Sequence, residues 1–322
     1  MSVVHVVGSL NADQLLELTA YPAAGETVLA SDVRLSAGGK GGNQAVAAAR
    51  AGAEVVMVGA VGDDAHGRLV RAELDGAGVD TRPVRTVEGT PTGTAIVLLD
   101  RAGENRIVVA PGANSRLTAA DVELGLRDLG EGDVLLLQLE IPPEVVVHAA
   151  RLGKRRGALV VLNAAPAPER ADCLGADLDH LVVNRGEMDA VAQLLGLIDE
   201  LPTGEPARAE TGRDALPALV AQVAGSLSCT VVCTAGADGA YVCGDGDGEA
   251  VTHVPAVAVT ATDTTAAGDT FTGYLAADLA AGRRRPASAL ARASAAAALT
   301  VTRPGAMDSI PHADELPTAF GP

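Results

Sequence analysis

The stretch A-T-D-T-T-A-A-G-D-T-F-T-G, residues 261–273, sets small residues and threonines in front of one acidic side chain, Asp269. An apolar helical pattern follows over residues 271–281. Ala266, Ala267 and Gly268 place nothing bulky over the first N–H groups of that helix. Those groups lack intrahelical partners and the helix dipole points out through them, so such a terminus holds anions. Two readings of Asp269 stay open on this segment alone. It is a base beside a bound phosphate, placed to take a proton from a hydroxyl, or it caps the helix while the alanines pack on a sheet.

Near the N-terminus the chain reads G-S-L-N-A-D (residues 8–13) and then G-G-K-G-G-N-Q (residues 38–44). Val3–Val7 is an uncharged, β-branched run that predicts a buried strand. Asn11 and Asp13 are expected in the loop at its carboxyl end, where open α/β sheets bind ligands. Gly38, Gly39, Gly41 and Gly42 allow close backbone approach, Lys40 and Asn43 add polar reach, and a helix is expected over residues 43–51. Asn11, Asp13, Lys40 and Asn43 offer several donors and acceptors but one carboxylate. That set suits an uncharged, polyhydroxylated ligand such as a sugar.

With these motifs in hand, the chain resembles the ribokinase branch of the PfkB family of carbohydrate and nucleoside kinases nearly end to end. Further matching segments are Q-L-E (138–140), L-N-A-A-P-A (162–167), N-R-G-E (184–187), T-A-G-A-D-G (234–239) and V-T-R-P-G-A (301–306). The D-T-x-A-A-G-D-T-F signature and the double-glycine lysine motif are each specific for the family, and both occur in its order.

The resemblance implies an α/β, ribokinase-like fold: a mostly parallel central sheet covered by helices on both faces, with a small projecting β-sheet lid. It implies ATP-dependent phosphorylation of D-ribose at the 5-hydroxyl, with Asp269 as general base and the backbone of Ala266, Ala267 and Gly268 as anion hole. Asn11, Asp13, Gly39, Lys40, Asn43 and Glu140 are then the sugar-binding set, with Ala95 and Val97 closing over the apolar face. Asn184 and Glu187 act on the phosphates and, through water, on Mg²⁺. Thr234, Gly236 and Gly239 line the nucleotide loop. Asp263, Thr265, Thr300, Arg303, Gly305 and Ser309 match positions that hold an activating K⁺, mostly through carbonyl oxygens. The implied partners are therefore a sugar and ATP, with a second copy of the chain paired through the lid. The nearest departures are Arg185-Gly186 inside N-x-x-E and a lengthened loop over residues 203–214. Rival readings are a kinase for another sugar or a nucleoside, and a non-catalytic sugar-binding protein on the same fold.

Composition narrows the field. With 322 residues and 48% hydrophobic content, one α/β domain spanning 1–322 suffices and a second is not required. A net charge of −17 leaves no basic stripe for a nucleic acid, and an aromatic content of 2% without Trp leaves few rings to stack on bases. The same scarcity favours a free pentose over a nucleoside and predicts a core of Ala, Val and Leu. Cys173, Cys229, Cys233 and Cys243 lack C-x-x-C spacing, so buried free thiols in a reducing cytoplasm are expected. No basic region precedes the first apolar run and no stretch has membrane-span length, so neither a secretory signal nor a membrane anchor is expected. The six histidines show no ligand spacing.

The remaining pattern alternates strands and helices. Strands are expected over residues 55–61, 134–139, 159–162, 181–183 and 230–233, and helices over 67–74, 144–151, 187–195 and 287–299, which predicts a doubly covered parallel sheet. Lid strands are expected within residues 14–36 and 93–110. Gly38–Lys40 is not a phosphate loop of the G-x-x-x-x-G-K-[ST] type, because Gly41 follows the lysine. Residues 8–13 contain no G-x-G-x-x-G, so a dinucleotide fold is not supported.

Overall fold

In the computed structural model, adjacent residues of each central strand enter different cores. Val4 and Val6 join one hydrophobic cluster and Val7 the other; Val134 and Leu136 oppose Leu135 and Leu137; Val161 opposes Val160 and Leu162. Side chains alternate across a strand, so a sheet buried on both faces needs apolar residues at every position. That requirement explains the V-V-H-V-V, V-L-L-L and L-V-V-L-N runs, in which only His5 and the terminal Asn163 are polar.

The structure describes residues 2–100, 105–175, 177–199, 215–244, 250–283 and 286–317. The first half contains β1 (Val3–Val7), β2 (Asn11–Glu17), β3 (Asp32–Gly38), α1 (Lys40–Arg50), β4 (Glu54–Gly62), α2 (Ala65–Gly76), β5 (Val84–Val87), β6 (Gly93–Leu99) and β7 (Asn105–Ala110). Next come α3 (Ala119–Gly125), β8 (Val134–Leu137), α4 (Pro143–Arg155), β9 (Leu159–Asn163), β10 (His180–Asn184), α5 (Arg185–Leu194) and α6 (Leu216–Leu227). The chain closes with β11 (Thr230–Thr234), β12 (Ala240–Cys243), β13 (Thr252–Val254), α7 (Ala267–Ala280) and α8 (Pro286–Thr300).

Nine strands form the large sheet in the order β13-β12-β11-β10-β9-β8-β1-β4-β5, parallel except where β12 pairs with β11 and β13. Helices α3 to α6 cover one face, and α1, α2, α7 and α8 the other. The second sheet, β3-β2-β6-β7, is the expected lid. Strand order reverses at β1, which has β4 on one side and β8 on the other. A crevice opens at the carboxyl ends of strands at such a reversal.

Three expectations need correction. Asn11 and Asp13 are not in a loop: only Gly8, Ser9 and Leu10 separate β1 from β2, and both residues are already paired with β3 and β6. Helix α1 starts at Lys40 rather than residue 43, because Gly39, at φ 86°, makes the turn just before it. The helix expected behind Asp269 starts ahead of it, at Ala267, which puts Asp269 in the first turn. The long loop expected over residues 203–214 lies outside the described residues.

The core is aliphatic as composition requires, and Tyr274 is its largest fully buried side chain. All four cysteines are buried thiols outside any disulfide. Among the described residues, no helix is long and apolar enough to cross a membrane.

Candidate active site

Polar residues gather at the carboxyl ends of five parallel strands. Ser9 and Asn11 follow β1, Gln138 and Glu140 follow β8, and Asn163, Asn184 and Thr234 close β9, β10 and β11. Helix α1 enters this ring edge-on. A Cβ on Gly41 would lie 2.7 Å from the Gly8 carbonyl carbon and from the Ser9 nitrogen, so only glycine lets the helix start sit on the end of β1. Glu140 fixes that start, its Oε2 accepting from Ser9 Oγ at 2.6 Å and from the Lys40 N–H at 3.2 Å.

Helix α7 meets α1 from the other side. A Cβ on Gly273 would fall 2.5 Å from both the Gln44 carbonyl oxygen and the Ala47 Cβ. Asp269 lies one turn earlier on the same face, and the contact brings its carboxylate to the α1 amides. Asn43 Nδ2 donates to Asp269 Oδ2 at 2.9 Å and Gln44 Nε2 donates to Oδ1 at 2.8 Å. Both Asp269 oxygens are thus engaged by α1 side chains rather than by the backbone of α7, which does not support the capping reading.

The N-terminus of α7 stays open. Ala266 turns the chain at φ 59°, the Ala267 N–H meets the Thr264 carbonyl only at 3.4 Å, and a Cβ on Gly268 would touch nothing within 4 Å. Two neighbouring cavities share this terminus. One, of about 210 Å³, is lined by Lys40, Asn163, Asn184, Glu187 and the segment Ala266, Ala267, Gly268 and Asp269. The other, of about 500 Å³, is lined mainly by apolar side chains, among them Val257, Val259, Phe271 and Ala297, with Gly236 and Gly239 on its wall. Thr234, Thr264, Ala267 and Gly268 belong to both. An apolar slot leading into a polar chamber over a helix N-terminus fits a base followed by its phosphates.

On the lid side, Asn11 Oδ1 accepts from Asn114 Nδ2 at 2.8 Å, and Asp13 pairs in register with the buried Ala95. Val97 is two residues further along β6. Asp13 Oδ1 and Asn43 Oδ1 are buried without a hydrogen-bond partner among the described residues. Buried acceptors left unpaired cost free energy unless a ligand supplies donors, and hydroxyl groups supply them.

Charge is concentrated here. Burial, reinforced by the Glu140 and Asp269 carboxylates, pushes the Asp13 carboxyl up to about 7. Burial also raises the Glu187 carboxyl, against the Asn184 N–H that bonds it. For Lys40, burial opposes the charge, but the Asp269, Glu140, Glu187 and Asp13 carboxylates outweigh it and lift the ammonium above its usual range.

Asn184 and Glu187 form a reciprocal cap on α5, at 2.9 and 2.8 Å. Arg185, where the chain departs from the family, donates to Asp238 Oδ2 at 2.5 Å and ties α5 to the turn at Gly236. Thr234 Oγ1 donates to the Val183 carbonyl at 3.3 Å. In the segment assigned to K⁺, Asp263 accepts from the Thr265 and Gly305 N–H groups, both at 2.9 Å. Burial raises the Asp263 carboxyl, but these bonds prevail and hold it below the usual range. Arg303 directs its side chain to Glu315, Thr300 Oγ1 bonds Thr270 Oγ1, and Ser309 Oγ bonds the Ala306 carbonyl. Arg303 therefore offers only backbone to an ion.

A profile of the pfkB family carbohydrate kinases matches residues 1–313. The chain belongs to the PfkB family. Among its PfkB relatives, ribokinase of Haemophilus influenzae is 35% identical over 312 residues, covering 96% of this chain and 95% of that protein. Deoxyribokinase of Salmonella typhi is 32% identical, covering 97% of each. The structure of Arabidopsis thaliana ribokinase complexed with ribose and ATP superposes with a TM-score of 0.81 at 33% identity, over 97% of this chain and 96% of that chain. The PfkB fold seen here is thus ribokinase-like.

Sequence reasoning missed Ser9, Gln44, Asn114, Gln138 and Asn163. Four of them, Ser9, Gln44, Gln138 and Asn163, stood inside quoted motifs without a role, and for Gln138 and Asn163 the signal available was an amide at the end of a buried strand.

Two outcomes follow from this geometry. Gly273→Ala should destabilise the fold by about 1–3 kcal/mol through overpacking and slow turnover about tenfold or more by shifting Asp269; thermal melts with kinetics check both, and a wild-type rate would contradict the close-contact argument. Because the native Asp13 carboxyl titrates far above its unfolded value, the folded state holds the extra proton between roughly pH 4 and pH 7. Stability therefore falls as pH rises through that window. Urea titrations at pH 5 and pH 8 should show Asp13→Asn removing about 2–3 kcal/mol of that fall, and an unchanged slope would refute it.

Proposed function

We propose that the protein transfers the γ-phosphoryl group of ATP to the 5-hydroxyl of D-ribose. The observation that carries this reading is the position of Asp269. Its carboxylate sits where the polar cradle of Asn11, Asp13, Lys40, Asn43 and Glu140 meets the open N-terminus of α7. A hydroxyl held in the cradle would lie beside a base on one side and helix N–H donors on the other.

Phosphoryl transfer asks for positioning and charge neutralisation rather than covalent catalysis. Asp269 would accept the hydroxyl proton as the oxygen attacks phosphorus. The backbone at Ala266, Ala267 and Gly268 would take the charge that develops on the phosphoryl oxygens. Lys40, kept charged chiefly by the Asp269, Glu140 and Glu187 carboxylates, adds a cation at the same place. Thr234, Gly236 and Gly239 would seat the nucleotide, with Asn184 and Glu187 beside its phosphates. Mg²⁺, held through water at Glu187, would neutralise phosphate charge when bound. K⁺, held mainly by carbonyl oxygens around Thr265, Thr300, Arg303 and Gly305, with Asp263 and Ser309 alongside, would stiffen the loop that leads into α7. Exposed Val33, Leu35, Ile96 and Val108, which the strand register puts on one face of the lid sheet, support pairing of two copies through that sheet.

A non-catalytic sugar sensor would need neither the base nor the open helix terminus. The Salmonella relative makes 2-deoxy-D-ribose the competing acceptor.

A coupled ADP-release assay with ATP and Mg²⁺, run over free pentoses, 2-deoxyribose, ketohexoses and nucleosides, tests the proposal. D-ribose should give the highest kcat/KM, and exchanging K⁺ for Na⁺ should lower the rate. Preference for another acceptor would overturn the substrate, equal rates in both salts would remove the ion, and a folded protein silent on every acceptor would remove the kinase activity.

A further inference from the structure

Gln44 is fully buried on α1 and lines neither cavity. Its Nε2 donates to Asp269 Oδ1 at 2.8 Å and to Asn163 Oδ1 at 2.9 Å, which engages both amide hydrogens. Its Oε1 accepts from Gln138 Nε2 at 2.6 Å. Asn163 Nδ2 donates to the Val182 carbonyl at 3.0 Å, which turns the Asn163 oxygen toward Gln44. Gln44 and Asn163 thus each have one orientation that matches donors to acceptors, while Gln138, whose Oε1 is buried without a hydrogen-bond partner among the described residues, is oriented by its bond to Gln44. A flipped Gln44 would set its oxygen against the Asp269 carboxylate and the Asn163 oxygen, and its N–H groups against Gln138 Nε2. The mismatches against Asp269 and Asn163, in a buried site, exclude the flip.

Asp269 consequently receives one N–H on each oxygen, from Asn43 on Oδ2 and from Gln44 on Oδ1. A two-point hold fixes both the position and the plane of the carboxylate. Asn43 belongs to the sugar cradle, whereas Gln44 reaches back into the sheet, through Asn163 to β10 and through Gln138 to the end of β8.

We propose that Gln44, braced by Gln138, is a positioning residue for phosphoryl transfer: it aims the Asp269 carboxylate at the acceptor hydroxyl without touching either substrate. This rests on the reading of Asp269 as the base. Gln44 then acts on the reaction only through that carboxylate, so its loss changes kcat and leaves substrate binding alone. A residue that merely filled polar space under the helix would show no such selectivity.

The test is a double-mutant cycle followed by transfer of label from radiolabelled ATP to D-ribose. Gln44→Met keeps the length of the side chain and removes its amide. It should lower kcat by about 10- to 100-fold, the scale of a misplaced catalytic group, with KM for both substrates within about threefold of wild type. In the Asp269→Asn background the same change should cost no further activity, because the group it aims is gone. Gln138→Met, one bond more remote, should give the same split at roughly a tenth of the effect, and it carries the test if Gln44→Met does not fold. An unchanged kcat in Gln44→Met, or an equal loss with and without Asp269, overturns the inference while leaving the base in place. An Asp269→Asn protein that keeps most of its rate overturns the base and the inference together.

Discussion

Helices α1 and α7 touch backbone to backbone at Gly273, where a single Cβ would lie 2.5 Å from the Gln44 carbonyl oxygen. Most of the site depends on that contact. It brings Asp269 to Asn43 and Gln44, and it sets the open end of α7 over the carboxyl ends of the parallel strands. Alanine makes it attainable: Ala47, Ala48, Ala276 and Ala277 are all buried along the two helices, and small side chains let helix axes approach closely. The scarcity of aromatic residues and the geometry of the site are two sides of one packing solution.

The site is built at a cost in stability that the rest of the fold offsets. Four carboxylates surround one lysine, and Asp13 holds a proton near neutrality because it is buried among them. Ala266 occupies the left-handed region at φ 59°, a conformation costing about 1–2 kcal/mol for a residue with a Cβ. Two buried oxygens, on Asp13 and Asn43, wait for donors. Strain, crowded charge and unpaired acceptors meet at one place, as expected where a site is organised ahead of its ligand. The two hydrophobic cores flanking the nine-stranded sheet hold it in that state.

The parallel sheet was legible because strands buried on both faces are apolar at nearly every position, and Val3–Val7, with His5 its one polar residue, appears with the same bounds in the chain and in the structure. The lid was legible from its alternating pattern. Short or weakly patterned elements such as β5, β12 and β13 were not, since three or four residues carry too little periodicity to separate a strand from a loop. Helix starts drifted for a physical reason: Gly39 and Ala266 turn the chain through left-handed conformations, and Gly41, Gly42 and Gly268 lie inside helices where propensity argues against them. The candidate residues came together largely because motif identity marked them. The amide relay of Gln138, Gln44 and Asn163 stayed hidden, because an amide's partner is decided by tertiary contacts over about a hundred positions of sequence, as the bond between Gln138 and Gln44 at a separation of 94 shows.

The central claim is that a carboxylate held by α1 serves as base at the mouth of an open helix terminus. It is tested most directly by measuring the chemical step and sugar binding separately in Asp269→Asn, by rapid-quench phosphoryl transfer and by calorimetric titration with D-ribose. The transfer rate should drop by about a thousandfold or more while the ribose dissociation constant stays within a few-fold of wild type. A variant that transfers phosphate at close to the wild-type rate would contradict the assignment of Asp269, however well the fold and the pocket agree.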